Sequence, residues 1–190
     1  MDYDFVKPHH YGLIKPEEAK FIFEQGEKHL KDQIETSQQI GTKTTTLLTV
    51  VSSLLIGVIG FAITRWSTSG FDSLIATAIT GSLYLYYIVH LLLENIKPQL
   101  YRSVGLHPRD IFDDRVFRLE NKEYRMEALY INEIKECQKR IDFNSEKNNG
   151  RWERFNRALR LVSYAPAIFI VCYATIRIFA LFWHQPGCAL

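Results

Sequence analysis

Two uncharged runs dominate the pattern of apolar and polar positions. Residues 44–64, TTTLLTVVSSLLIGVIGFAIT, and residues 73–93, SLIATAITGSLYLYYIVHLLL, hold 21 residues each without a charge. About 20 apolar residues at 1.5 Å rise cross a hydrocarbon core of roughly 30 Å, so each run predicts a membrane-spanning helix. Lys43 and Arg65 bracket the first run. The link at 65–72, RWSTSGFD, is short, which predicts an antiparallel hairpin with Trp66 and Phe71 as interfacial aromatics. A third run at 161–183 has 23 residues and one charge, Arg177. It reads as a third span, kinked at Pro166, with Arg177 about 24 Å along it and able to snorkel to the far interface. An apolar helix packed on the outside of the hairpin is the alternative.

Residues 1–14 read as irregular. Pro16 followed by Glu17 and Glu18 is a helix start, because Pro suits the first helical position and acids suit the N-terminal dipole. A helix from about Pro16 to Ile40 follows, with Ile22, Phe23, Leu30 and Ile34 on a partial apolar face. Gly26 weakens it. Gly41 either ends it or the helix runs straight into the membrane. The stretch 94–160 carries 15 Lys/Arg and 12 Asp/Glu, so it predicts solvated helices. Breaks are expected at Pro98 and at GLHPRD, 105–110. Asp110 is an N-cap candidate for a helix from about Ile111 to Ile141. Phe117, Tyr124, Ile131 and Gln138 fall at seven-residue steps there, with Ile134 and Ile141 as a second row, which is a coiled-coil-like seam. NSEKNNG, 144–150, reads as a turn, and a last helix begins near Arg151.

The expected fold is therefore an all-α membrane protein. A two-span helical hairpin and a third span are joined to cytoplasmic helices that form a bundle or a coiled-coil-like layer. Four segments follow: a cytoplasmic N-terminal helix at 1–43, the hairpin at 44–93, a cytoplasmic helical region at 94–160, and the third span with its tail at 161–190.

Charge decides the orientation. The N-terminal segment holds six Lys/Arg and the link between spans one. With 15 more at 94–160, the positive-inside rule places both charged segments in the cytoplasm and the C-terminus outside if the third run spans. The first 15 residues have no apolar core, so the first span itself would direct insertion. Net charge over the 190 residues is only +2, which provides no field for duplex nucleic acid. Cys137, Cys172 and Cys188 are scattered and form neither a zinc knuckle nor a disulfide framework.

Candidate chemistry is sparse. HPRDIFDDR carries His107, Asp110, Asp113 and Asp114. A metal-dependent hydrolase uses such groups, but capping and a solvated first turn explain them more simply. His9 and His10 are a weak ligand pair. His90 lies three residues from the end of its span, as a proton-sensitive group or an interfacial polar tip. RWERFNRALR spaces Arg151, Arg154, Arg157 and Arg160 three apart, which spreads them over half a helix as a basic collar. The collar suits the phosphates of anionic lipid or of a nucleotide. No Gly-rich phosphate loop, nucleophile elbow or Cys/His cluster is present. The expectation is a protein that is not an enzyme, with no metal and no cofactor.

Both spans carry a small, weakly polar face. Thr46, Thr49, Ser53, Gly57, Gly60 and Thr64 recur at steps of three or four in the first, and Thr77, Thr80, Tyr84 and Tyr87 in the second, with Gly81 beside them. Small residues let helices approach closely and hydroxyls bond across, so packing alone is one reading. The other is a narrow pore within a symmetric homo-oligomer, lined by Thr49, Ser53, Gly57, Gly60, Thr77, Thr80 and Tyr84.

The order of a charged helix, then GEKHLKDQIETSQQIGTKTTTLLTVVSSLL, a second close span and further charged helices resembles the SLATT group of small bacterial membrane effectors. It also resembles the related transmembrane effectors of cyclic-nucleotide antiphage systems. The likeness covers roughly residues 16–140 and is carried by Glu27, Leu30, Lys43 and LLTVVSSLL. It implies an inner-membrane effector that responds to a nucleotide second messenger or oligonucleotide from a partner nucleotidyltransferase and then permeabilises the membrane. No catalytic residue carries over. The alternative is a membrane-anchored interaction subunit without a pore.

Overall fold

The computed structural model describes residues 14–69, 72–105 and 120–183, which form helices and connecting segments with no strand among them. Helix α1 spans Pro16–Ser69, α2 spans Ser73–Ile96 and α3 spans Lys122–Trp183. Each contains a stretch long and apolar enough to cross a membrane. The chain is thus an all-helical protein with the makings of three spans. Two compact units are formed: Met1–Gln39 with Pro98–Gly150, and Ile40–Lys97 with Arg151–Leu190.

Helix α1 starts as expected. Pro16 is its first residue, and the Lys15 amide donates to Glu18 Oε2 at 2.9 Å. The helix continues through Gly41 for 54 residues. A single glycine costs about 1 kcal/mol relative to alanine, too little to break a helix that packs on both sides of it. Asp72 caps the start of α2, and its carboxylate accepts from the Leu74 and Ile75 amides at 3.0 and 2.9 Å. These amides, chiefly that of Ile75, and Arg65 hold the Asp72 carboxyl below its usual range. The helix ends at Ile96, two residues before Pro98, as ring sterics require.

The expected turn at 144–150 does not exist. Helix α3 runs through NSEKNNG, and the first unit explains why. Asn144 is fully buried. It accepts from the Arg102 amide and donates to the Arg102 carbonyl, both at 3.0 Å. Asn148, one turn on, donates to the Gln33 carbonyl at 2.8 Å and accepts from the Tyr101 hydroxyl at 3.0 Å. The asparagines that signal a turn in isolation instead pin the extended segment 98–105 and α1 against α3. Arg140 adds a bond to the Gly105 carbonyl at 2.6 Å, at the one described residue with positive φ. Asn144→Leu should free that segment. Limited trypsin digestion should then cut after Arg102 roughly ten- to a hundredfold faster, as expected for the loss of both hydrogen bonds to Arg102. An unchanged rate would mean that Asn144 does not hold the segment.

The rest of the first unit is a two-helix seam. Leu30, Cys137 and Ile141 form its buried core, and the Phe23 and Tyr130 rings lie 6.1 Å apart. Gly26 is there for close approach: a Cβ on it would meet Cys137 Sγ at 3.0 Å. Of the predicted rows, Ile131 and Ile141 are buried, Ile134 and Gln138 are half-buried, and Tyr124 is exposed. Phe117 lies outside the described residues. Burial raises the Cys137 thiol and is also the main cause of the raised Glu133 carboxyl, aided by Glu27 and Glu136 and opposed by Arg140. A raised carboxylate in the fold means that the folded state holds this proton more tightly than the unfolded chain. Stability therefore falls as pH rises from the ordinary glutamate value through the raised one. Glu133→Gln should stabilise the protein at pH 7.5, and the gain should vanish near pH 4 in thermal melts. Equal gains at both values would exclude this titration.

Candidate functional site

The second unit joins residues 40–97 to 151–190, and its core is Val51, Leu85, Ile88, Leu92 and Ala158. Asp72 pairs with Arg65 at 3.0 Å, and Asn95 with Thr44 at 3.0 Å, so α2 runs antiparallel to this part of α1. Arg154 Nε also donates to Asn95 Oδ1, at 3.4 Å. Lys43 lies over the Trp152 ring, 5.2 Å from its centroid, and Gly57 and Val58 share a groove with Phe169 and Ile170. Helix α3 therefore runs parallel to α1, with Arg154 level with Thr44.

Asn95 and Thr44 are fully buried. Asn95 gives its amide hydrogen to Thr44 Oγ1, and the Thr44 hydroxyl gives its own to the Ile40 carbonyl at 2.7 Å. With Arg154 on the amide oxygen, one asparagine ties three helices together at a single level. The sequence offers only a weak hint of it: a lone polar residue two positions beyond an uncharged run.

The two small-residue faces have different surroundings. Thr49, Ser53, Gly57 and Gly60 of α1 are exposed, and a Cβ on either glycine would meet no neighbour within 4 Å. In α2, Thr80 is exposed but Thr77 is buried, and the half-buried Tyr84 donates its hydroxyl to the Leu161 carbonyl at 2.7 Å. Gly81 is buried, and a Cβ there would overlap the Phe169 ring at 2.2 Å. Phe169 thus fills the hole that the missing side chain leaves. The part of the α2 face at Thr77, Gly81 and Tyr84 is covered within one chain, while the α1 face is exposed.

The threonine and serine hydroxyls on these faces bond to their own helices. Thr49 donates to the Thr45 carbonyl at 3.0 Å, Ser53 to Thr49 at 2.9 Å, Thr77 to Ser73 at 2.7 Å and Thr80 to Ala76 at 2.9 Å. Each donor is satisfied, so the surface tolerates an apolar neighbour. Each oxygen still presents a lone pair to water or a cation.

The basic collar divides. Arg151 is buried, with its guanidinium 3.5 Å from where a Gly41 Cβ would stand. Arg154 is committed to Asn95. Arg157 and Arg160 are exposed. His90 is exposed near the end of α2, and Pro166 is accommodated within the continuous α3. His9, His10 and the cluster from His107 to Asp114 lie outside the described residues, as does Cys188. Among the described residues no group of three His, Cys, Asp or Glu is placed to hold a metal.

No family model matches the chain, and neither curated proteins nor solved structures show significant similarity to it. With no family in view, what the described residues establish is an all-helical protein with three helices long and apolar enough to cross a membrane.

Proposed function

We propose that the protein is a homo-oligomeric membrane effector whose subunits meet through the Thr49–Ser53–Gly57–Gly60 face of α1 and enclose a narrow, regulated pore. The observation that carries this reading is the contrast between the glycines. Gly81 is filled from within the chain, whereas Gly57 and Gly60 face open space beside exposed hydroxyls. A span that keeps such a face small gains closest from another helix, because van der Waals packing and not the hydrophobic effect joins helices in lipid. A single chain cannot enclose a path, so several copies are required.

In this reading the protein sits in a bacterial inner membrane with its N-terminus and residues 94–160 in the cytoplasm. A nucleotide signal made by a partner nucleotidyltransferase controls opening, as the likeness to antiphage effectors implies. Oligomer size in detergent and dye release from liposomes, with and without nucleotides, test the reading together. Assembly with nucleotide-dependent leakage supports it, and a protein that never leaks under any nucleotide condition excludes it.

The anchored-subunit reading is favoured by a different observation. Thr77 and Tyr84 of the second face are used inside the chain, as packing alone would use them. On that reading the open α1 face joins subunits without a path between them, and assembly occurs with no leakage.

A further inference from the structure

We propose that Arg157 and Arg160 form a binding site for phospholipid phosphates, set below the headgroup plane of the leaflet at the Asn95 end of the second unit. The proposal rests on the reading of this unit as membrane-embedded.

The register of the three helices carries it. Thr44 begins the uncharged run of α1, and Asn95 lies just past the uncharged run of α2. The Thr44–Asn95 contact puts these two ends at one level, so α1 and α2 share one hydrocarbon boundary. Asn95 also holds Arg154 at that level. The apolar run of α3 begins only at Leu161, seven residues later, which is about 10 Å further along the helix. The spans are thus staggered. Arg157 lies about 4.5 Å and Arg160 about 9 Å inside a boundary that the two neighbouring helices define.

Both arginines are exposed, so they are not hidden within the unit. A charged group at such depth stays only if it reaches water or a counter-charge, and local thinning of the bilayer lets it do so. Helical side chains tilt toward the N-terminus of their helix, which for this part of α3 is the Asn95 end. The guanidiniums therefore lean back toward the headgroups, and the interfacial layer is about 5–7 Å deep on each side. Glu153, one turn nearer that end, is exposed as well and forms no ion pair with Arg157 among the described residues. Two planar, permanently charged donors three residues apart suit bidentate bonds to phosphate oxygens. A soluble nucleotide offers the same chemistry, but it would have to descend past the headgroups to reach Arg160. The lipid phosphate is already there.

The test uses the full chain, extracted from membranes and analysed by native mass spectrometry for retained phosphatidylglycerol against phosphatidylcholine. The parent should retain phosphatidylglycerol preferentially. The Arg157→Gln, Arg160→Gln double variant should lose roughly ten- to thirtyfold of that preference, and the corresponding double Lys variant should keep most of it. An unchanged preference in the Gln variant overturns the proposal. So does ATP binding to delipidated protein with the same dependence on the two arginines, which would assign the site to free phosphate. A parent released from membranes by alkaline carbonate would overturn the membrane reading itself, whereas a firmly embedded parent with unchanged lipid preference removes only this site.

Discussion

On the proposed pore reading, Ser53→Leu and Thr49→Leu are expected to leave an oligomer intact and to abolish leakage, whereas Gly57→Leu is expected to abolish the oligomer. The three substitutions act on one exposed face but change different properties. Gly57 has no neighbour within 4 Å of a Cβ in the single chain and borders an open groove, so leucine there has room within the subunit. It would push away a second helix that needs the glycine for close approach, and overpacking of this kind costs about 1–3 kcal/mol at each contact. Ser53 and Thr49 are exposed with their hydroxyls bonded to the preceding turn. Leucine removes the lone pairs that water or ions touch and narrows the path with an apolar ring, which favours dewetting. Size-exclusion profiles in detergent and dye release from liposomes should be recorded side by side. If Ser53→Leu and Thr49→Leu both assemble and leak like the parent, this face does not line a path. If Gly57→Leu assembles as before, the face is not the contact.

The largest stability effect should come from the Gly81–Phe169 contact. A Cβ at position 81 would lie 2.2 Å from two carbons of the Phe169 ring, so any side chain there must displace it. Gly81→Leu forces the ring out of its seat and should cost about 1–3 kcal/mol by overpacking. Phe169→Ala leaves the hole beside Gly81 empty and, because the ring is only half-buried, should cost about 1–3 kcal/mol, below the scale of fully buried aromatic truncations. The double variant Gly81→Leu, Phe169→Ala replaces one filler by another, so its cost should fall clearly below the sum of the two. Thermal unfolding in detergent measures all three. Strict additivity would mean that the two residues do not share a site.

The apolar runs were legible because transfer of backbone into lipid demands long uncharged helices, and the three runs indeed lie in three helices. The helix start at Pro16 and the stop before Pro98 were legible for an equally local reason, the geometry of the proline ring. NSEKNNG was misread because asparagine favours turns only when its side chain has no better partner. Here Asn144 and Asn148 find backbone and side-chain partners far along the chain, at Arg102, Tyr101 and Gln33. That information lies in the fold and not in the segment. The four arginines of the collar show the same division: spacing told that they spread around the helix, but only packing sorted Arg151 and Arg154 inward from Arg157 and Arg160 outward.

The sequence by itself determined that this chain is helical and has three stretches fit for a membrane, because hydropathy and helix rise are properties of each segment alone. It also determined that α1 and α2 both carry a small-residue face. Only the tertiary structure decided which glycine is spent and which is open, since Phe169 closes Gly81 from 88 positions away in the chain while a Cβ on Gly57 or Gly60 would have no atom within 4 Å. Only it decided the level at which the helices stand. Asn95 fixes Thr44 and Arg154 side by side, and the stagger of α3 follows from that one buried amide. Periodicity places residues around a helix axis, whereas the sliding of one helix along another is set by a few contacts between distant residues, and no repeat in the sequence encodes them.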